Sequence, residues 1–255
     1  MSNNNLEERA WAHEGEFYPA SQKKFQEIVL FVPFYMGTKR HILRHIRFVN
    51  ELGFDAFAFE LAHDHRSLLK GKIPLTSQFK FGSKHVYAEQ IESILNELPG
   101  KKIVFAFSNP SASAIEAIAK RNASDVVALI ADSGPTNRFI NGAFQLFKYE
   151  LGLEFLPARL ALAPLMSYGW SPYLHKDVHT DLEKFPHGFK ILSIRGWQDK
   201  LIKPQHIDEI FEPHTHLDWQ KLSLPQAEHL TGLRDFANDY RPAVEKFLTG
   251  VATKL

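Results

Sequence analysis

The chain has 255 residues, with 30 Lys and Arg against 29 Asp and Glu and no cysteine. That balance gives no field that would make nucleic acid the main partner, and the missing cysteines exclude disulfides, thiolate metal sites and a cysteine nucleophile. The polar start MSNNNLEERAWAHEGE lacks the apolar core of a signal peptide and no run approaches the ~18 apolar residues of a membrane span, so a soluble, cytoplasmic chain with one domain over 1–255 is expected.

Apolar runs rich in β-branched and aromatic residues alternate with helical patterns, the mark of a mostly parallel sheet with helices on its faces. The first run is Ile28 to Val32. Thr38 then caps a helix in which Ile42, Leu43, Ile46, Val49 and Leu52 share a face, and Gly53 ends it in a left-handed conformation. Lys39, Arg40, Arg44 and Arg47, with His41 and His45, crowd this helix and are expected to form a solvated face. Phe54 to Phe59 is the second run, followed by Glu60 to Ser67 and by a helix carrying Tyr87, Ile91, Ile94, Leu95 and Leu98 that stops near Gly100. Ile103 to Phe107 leads directly into Ser108-Asn109-Pro110 and a helix with Ser111, Ala112, Ala114, Ile115, Ile118 and Ala119 in helical spacing. Val126 to Ala131 ends at Asp132.

From about 135 to 186 the alternation breaks. Phe139, Phe144, Phe147, Leu151, Leu160, Leu165 and Trp170 belong to a stretch with more apolar surface than a connecting loop exposes. It is expected to form a helical cap, with Pro157, Pro164 and Pro172 cutting it into short pieces, and the other use for such surface is a homodimer contact. Lys190 to Ile194 restores the pattern and runs into Gly196-Trp197-Gln198-Asp199, followed by a helix from about Gln205. A short strand at Trp219 to Leu222 precedes Leu224-Pro225-Gln226-Ala227-Glu228-His229. The last helix shows Tyr240, Val244, Phe247 and Leu248 on one side.

A serine where a strand turns into a helix is lifted out of the sheet, and the helix start turns unpaired N–H groups and a positive dipole end toward a developing oxyanion. Taken alone, Ser108 or Ser111 is as well explained as a helix cap, and an isolated G-x-x-D or loop histidine carries little. The strand-turn-helix context resembles the nucleophile elbow of the α/β hydrolases, written G-x-S-x-G, with Ala106 and Pro110 where the glycines stand. Gly196 to Asp199 is similar to the family segment that delivers the acid, and Leu224 to His229 to the closing segment that carries the histidine. The chain order serine, acid, histidine is the one this fold uses. Val32-Pro33-Phe34-Tyr35-Met36-Gly37 stands where the family has an H-G-x-x-G loop, and Glu60 to Ser67 resembles its D-x-x-G-h-G-x-S loop with the glycines replaced.

The resemblance spans about Ile28 to Leu248. It implies an α/β-hydrolase fold: a central, mostly parallel sheet of about eight strands, flanked by helices and carrying the cap insertion. It further implies Ser108 as nucleophile, His229 as base and Asp199 as acid, with backbone N–H groups of Asn109 and of Phe34 or Tyr35 facing the oxyanion. Phe144, Phe147 and Trp197 are the expected pocket residues. The implied activity is hydrolysis of a small, apolar carboxylic ester without cofactor or metal. The alternatives are an inactive binding protein of the same fold and acyl transfer on the same residues. Asp132 is a second candidate acid. His63, Asp64 and His65, with His214 and His216, have metal-ligating side chains, but neighbours in a strand point apart and no H-E-x-x-H is present.

Overall fold

The computed structural model describes residues 15–62 and 81–255. Within them lie β1 (Glu16–Tyr18), β2 (Ile28–Val32), α1 (Lys39–Leu52), β3 (Asp55–Ala58), α2 (Ser83–Glu97), β4 (Lys102–Phe107), α3 (Ser111–Lys120) and β5 (Val126–Asp132). After β5 come α4 (Phe139–Tyr149), α5 (Leu156–Trp170) and α6 (Leu174–Leu182). The chain then forms β6 (Lys190–Gly196), α7 (Pro204–Phe211), β7 (Asp218–Leu224), α8 (Gly232–Asp235) and α9 (Ala237–Val251). Among the described residues the sheet has seven strands, in the order β1-β3-β2-β4-β5-β6-β7, in keeping with the expected mostly parallel sheet.

All pairings are parallel except that of β1 with β3. The inner strands read as continuous apolar runs because both faces are covered, as parallel strands require. Along β4, Ile103, Phe105 and Phe107 pack on one side with Ile42, Ile46 and Val49 of α1 and Tyr240, Val244 and Phe247 of α9. Val104 and Ala106 turn to the other side, against Ile91 and Leu95 of α2 and Ile115 and Ile118 of α3. Among the described residues no helix is long and apolar enough to cross a membrane.

The insertion folds as α4, α5 and α6. Pro157 sits in the first turn of α5 and Pro164 lies inside it, so only Pro172 falls in a break between helices. Phe139 of α4 stacks on Trp170 of α5 with ring centres 5.2 Å apart, and Trp170 meets Tyr87 of α2 at 5.8 Å. These rings tie α4 to α5 and α5 to α2. Outward, α5 exposes Leu156, Leu160 and Leu165. Its one charged side chain, Arg159, is buried with its guanidinium 4.6 Å from the centre of the Phe144 ring.

A buried ionic cluster fastens α6 to the core helices. Lys84 of α2 is fully enclosed and donates to Glu116 of α3 at 2.8 Å and to Asp181 of α6 at 3.2 Å. His85 lies 2.7 Å from the same Glu116. Burial works against a charged His85, but its bonds to Asp177 and Glu116 outweigh this and hold its pKa above 6.5. Removing the central cation leaves Glu116 with His85 and the more distant Lys120, and Asp181 with Lys184 at the surface, and nothing between the two carboxylates. Lys84→Met, which keeps most of the stem, is expected to lower unfolding stability in urea melts at pH 7 by about 3 kcal/mol or more. A loss below about 1 kcal/mol would mean that the cluster relaxes without its lysine.

Candidate active site

The register aligns the carboxyl ends of four strands: Phe107 of β4 lies beside Asp132 of β5, Asp132 beside Ile194 of β6, and Gly196 of β6 beside Leu224 of β7. Whatever follows these strands is collected along one edge, the side where open parallel sheets bind ligands.

Ser108 follows β4 with φ 56°, in the left-handed region that side chains other than glycine's occupy at a cost of about 1 kcal/mol or more. Its N–H donates to the Asp132 carbonyl at 2.8 Å and its own carbonyl accepts from the Ser111 N–H at 3.1 Å. The room for this turn comes from elsewhere than the usual flanking glycines. A Cβ on Gly134 would stand 2.3 Å from the Ser108 carbonyl oxygen, so the chain leaving β5 can pass the turn only without a side chain. Pro110, at φ −56°, starts α3 where its missing N–H is no loss, and Ser111, Ala112, Ser113 and Ala114 give the helix a small, fully buried face. Ser111 is enclosed and its hydroxyl has no partner among the described residues.

Asp199 and His229 reach Ser108 from β6 and β7. The Asp199 carboxylate is buried; one oxygen accepts from the N–H groups of Leu201 at 2.7 Å and Ile202 at 2.8 Å, and the other lies 2.6 Å from Nδ1 of His229. An ionised carboxylate only accepts, so Nδ1 carries the proton and the lone pair of Nε2 faces Oγ of Ser108, 3.0 Å away. Gly196 is explained by the same crowding: a Cβ there would meet the Ala227 carbonyl oxygen at 2.3 Å, blocking the approach of the histidine loop.

Asp132 does not join this chain. Its oxygens accept from Ser133 Oγ at 2.9 Å and from Tyr240 at 2.6 Å, while Ser133 Oγ in turn accepts from the Leu230 N–H at 3.2 Å. A link thus runs from α9 through Asp132 to the backbone beside His229. Burial raises the Asp132 carboxyl to about 6, with the bonds from Tyr240 and Ser133 opposing the shift. Burial also lowers His45, whose ring nitrogens have no hydrogen-bond partner among the described residues and whose Nε2 lies 4.0 Å from Asp132, to about 3. It is therefore neutral and serves as an aromatic wall against Phe107 and Tyr240.

The N–H groups of Asn109, Phe34 and Tyr35 make no backbone hydrogen bond among the described residues. Because β2 and β4 pair side by side up to Val32 and Ala106, the turn from Phe34 to Gly37 and the turn at Ser108 are neighbours. Both open on a cavity of about 1140 Å³, lined also by Phe139, Ala143, Leu146, Phe147, Met166 and Trp170. Two expected pocket residues lie outside it. Phe144 falls on the flank of α4 away from the Phe139, Ala143 and Phe147 stripe and packs under Arg159. Trp197 is 51% exposed and borders a separate hollow with Arg138 and His206, since the turn that sends Asp199 inward sends Trp197 out.

Gly134, Ser133 and Tyr240 were not identified as site residues in the sequence, and only Gly134, in a Ser-Gly-Pro turn after a strand, left a local signal. His63, Asp64 and His65 lie outside the described residues. Among those described, no three His, Asp or Glu side chains are grouped to hold a metal ion.

The raised Asp132 pKa carries a stability slope. Between 3.8 and about 6 the folded state holds a proton that the unfolded state releases, so stability falls as pH rises through that window. Asp132→Asn removes the slope. The stability difference, variant minus wild type, is expected to rise by about 3 kcal/mol from pH 3.5 to pH 7 in urea melts, on top of a pH-independent offset from altered hydrogen bonds. A difference that stays flat across the window would place the proton elsewhere.

No family model and no curated protein matches the chain. Solved structures do. It is similar to the Pyrococcus furiosus esterase PF2001, with 16% identity over 94% of this chain and 86% of that one and a TM-score of 0.64. A monoacylglycerol lipase of Paleococcus ferrophilus has 16% identity, coverage of 92% and 98%, and a TM-score of 0.62. For a Bacillus coagulans carboxyl esterase the values are 17%, 93% of each chain and 0.61. At such identities the likeness speaks for architecture. With its strand order, its insertion after β5 and these neighbours, the chain has the α/β-hydrolase fold.

Proposed function

We propose that the chain is a serine hydrolase that cleaves a carboxylic ester with an apolar acyl group. The observation that carries this reading is the unbroken hydrogen-bond chain from Asp199 through His229 to Ser108, ending on the cavity wall. In the first step Oγ of Ser108 bonds to the acyl carbon while His229 Nε2 takes its proton, and Asp199 stabilises the imidazolium. The tetrahedral oxyanion faces the N–H groups of Asn109 and of Phe34 or Tyr35, each such donor being worth about 10²- to 10³-fold in rate. Collapse breaks the bond to the alcohol oxygen, which leaves with the proton from His229. Water then attacks the acyl-serine, giving up its proton through His229, and the carboxylic acid departs as Ser108 regains its own.

The wall formed by Phe139, Leu146, Phe147, Met166 and Trp170 suits the acyl chain. In this reading the insertion is a cap over the site, and the names of the structural neighbours, two esterases and a monoacylglycerol lipase, agree with ester chemistry. The fold alone does not select it, because a bromoperoxidase is similar to the same degree, with a TM-score of 0.60.

Intact-mass analysis after fluorophosphonate treatment is expected to show one adduct in wild type and in Ser111→Ala, and none in Ser108→Ala. Asp199→Asn is expected to reduce kcat by about 10⁴ with the fold retained. An adduct on Ser108→Ala, or full activity in Asp199→Asn, would overturn the assignment. Across acetyl to decanoyl 4-nitrophenyl esters, kcat/KM is expected to rise by up to about fourfold per methylene until the apolar wall is covered, from ~0.8 kcal/mol per buried group. Phe147→Ala should flatten that rise. A flat profile in wild type would mean that this wall does not receive the acyl chain.

A further inference from the structure

The cavity at Ser108 has a second wall of opposite character. Beyond the Phe34 to Gly37 turn it continues between α1 and the α8–α9 pair, past Arg40, Arg44, Arg47, Arg234, Arg241 and Glu51. Of the α1 side chains expected to meet only solvent, Arg40, His41, Arg44 and Arg47 are exposed yet border the cavity, whereas His45 is buried against Phe107 and Tyr240.

These charges are unevenly matched. Arg241 donates to Glu51 at 2.6 Å, and Arg234 holds Asp235 by two bonds of 2.8 and 2.7 Å. Arg40, Arg44 and Arg47 have no ion pair among the described residues. They stand at i, i+4 and i+7 of α1, where like charges are neighbours and repel. Arg40 lies in the first turn of the helix, at the positive end of its dipole, and that turn has no acidic residue. This arrangement does not follow from a basic composition, since the chain has 30 basic against 29 acidic side chains. Asp235 lies near enough to be stabilised by Arg44, and Glu51, four residues past Arg47, is held by Arg241, so the three arginines keep cationic capacity that an anion inside the cavity can take up, and guanidinium groups suit phosphate and carboxylate oxygens.

The position fits one part of the substrate. Arg40 is one turn past the Phe34 to Gly37 turn, and Arg44 and Arg47 follow about 6 Å and about 10 Å further along the helix axis. With the acyl chain against the apolar wall, this trough is left for the alcohol. We propose that the trough between α1 and the α8–α9 pair is an anion subsite, and that the ester's alcohol portion carries a phosphate or carboxylate group bound by Arg40, Arg44 and Arg47. The inference rests on the hydrolase reading above. Water is consumed at the acyl C–O bond, and the alcohol is released with its anionic group intact.

The test uses the octanoyl monoesters of glycerol, glycerol 3-phosphate and glycerate, on wild type, Arg44→Gln, Arg47→Gln and the double variant. At low salt the charged esters are expected to exceed the neutral one by about tenfold in kcat/KM, and to lose that lead at about 0.5 M NaCl. Each substitution is expected to reduce the charged esters severalfold through KM and leave octanoyl glycerol unchanged. The phosphate and glycerate arms show which anion the trough prefers. Equal rates on neutral and charged esters, or variants that slow all three alike, would overturn the subsite. Calorimetry on Ser108→Ala, with and without the two arginine substitutions, separates this outcome from failure of hydrolysis. Tighter binding of the charged esters that depends on Arg44 and Arg47 upholds the subsite even if no ester is turned over. Equal binding of charged and neutral esters rejects it whatever the turnover.

Discussion

The site depends on one backbone constraint, the left-handed turn at Ser108. Only with φ near 56° does the side chain leave the plane of the sheet while β4 runs on into α3. Neighbours of the turn must therefore be thin. Gly134 passes the Ser108 carbonyl on one side, and Ser111 to Ala114 bring α3 close on the other. The thinness has its own cost, because the buried hydroxyls of Ser111 and Ser113 have no partner among the described residues. A small polar side chain is here a compromise between room and satisfaction.

Two aspartates near the edge are separated by their surroundings. Asp199 receives two backbone N–H groups on one oxygen and offers the other to His229, which fixes the tautomer and the direction of the ring. Asp132 receives a phenol and a hydroxyl, is buried still more fully, and has no Lys or Arg partner among the described residues. Its neighbour His45 is neutral and aromatic in role. The deeper aspartate is therefore linked through Ser133 to the backbone of the histidine loop.

Much of this was legible in the sequence because it is local. The buried strands announce themselves as apolar runs, and Gly53 marks the end of α1 with the left-handed φ of 105° that its place after Leu52 suggested. Ser108, Asp199 and His229 each directly follow or lie near a strand end, in the order the α/β hydrolases use, so it was the resemblance to that family that singled them out, and the structure brings the three side chains together. What was hidden lies in pairs distant in the chain. Tyr240 meets Asp132 across 108 positions, and β1 is a half-exposed three-residue edge with no periodicity to read. Phe144 was misplaced because a helix apolar on several faces does not say which stripe turns inward. The arginines of α1 were read as solvent-facing because the opposite wall, from α8 and α9, is supplied by the far end of the chain.

The room for the serine turn comes from the chain leaving β5 and from α3 rather than from its own pentapeptide, and this bears on how such a chain can vary. A glycine written beside the serine is a landmark that a single codon change erases. When the clearance is shared by Gly134 and the small residues of α3, Ala106 and Pro110 can stand where the α/β hydrolases commonly have glycines without closing the turn. A lineage can then lose the written signature of its elbow while inheriting the elbow itself. Architecture can remain recognisable across distances at which no sequence pattern survives.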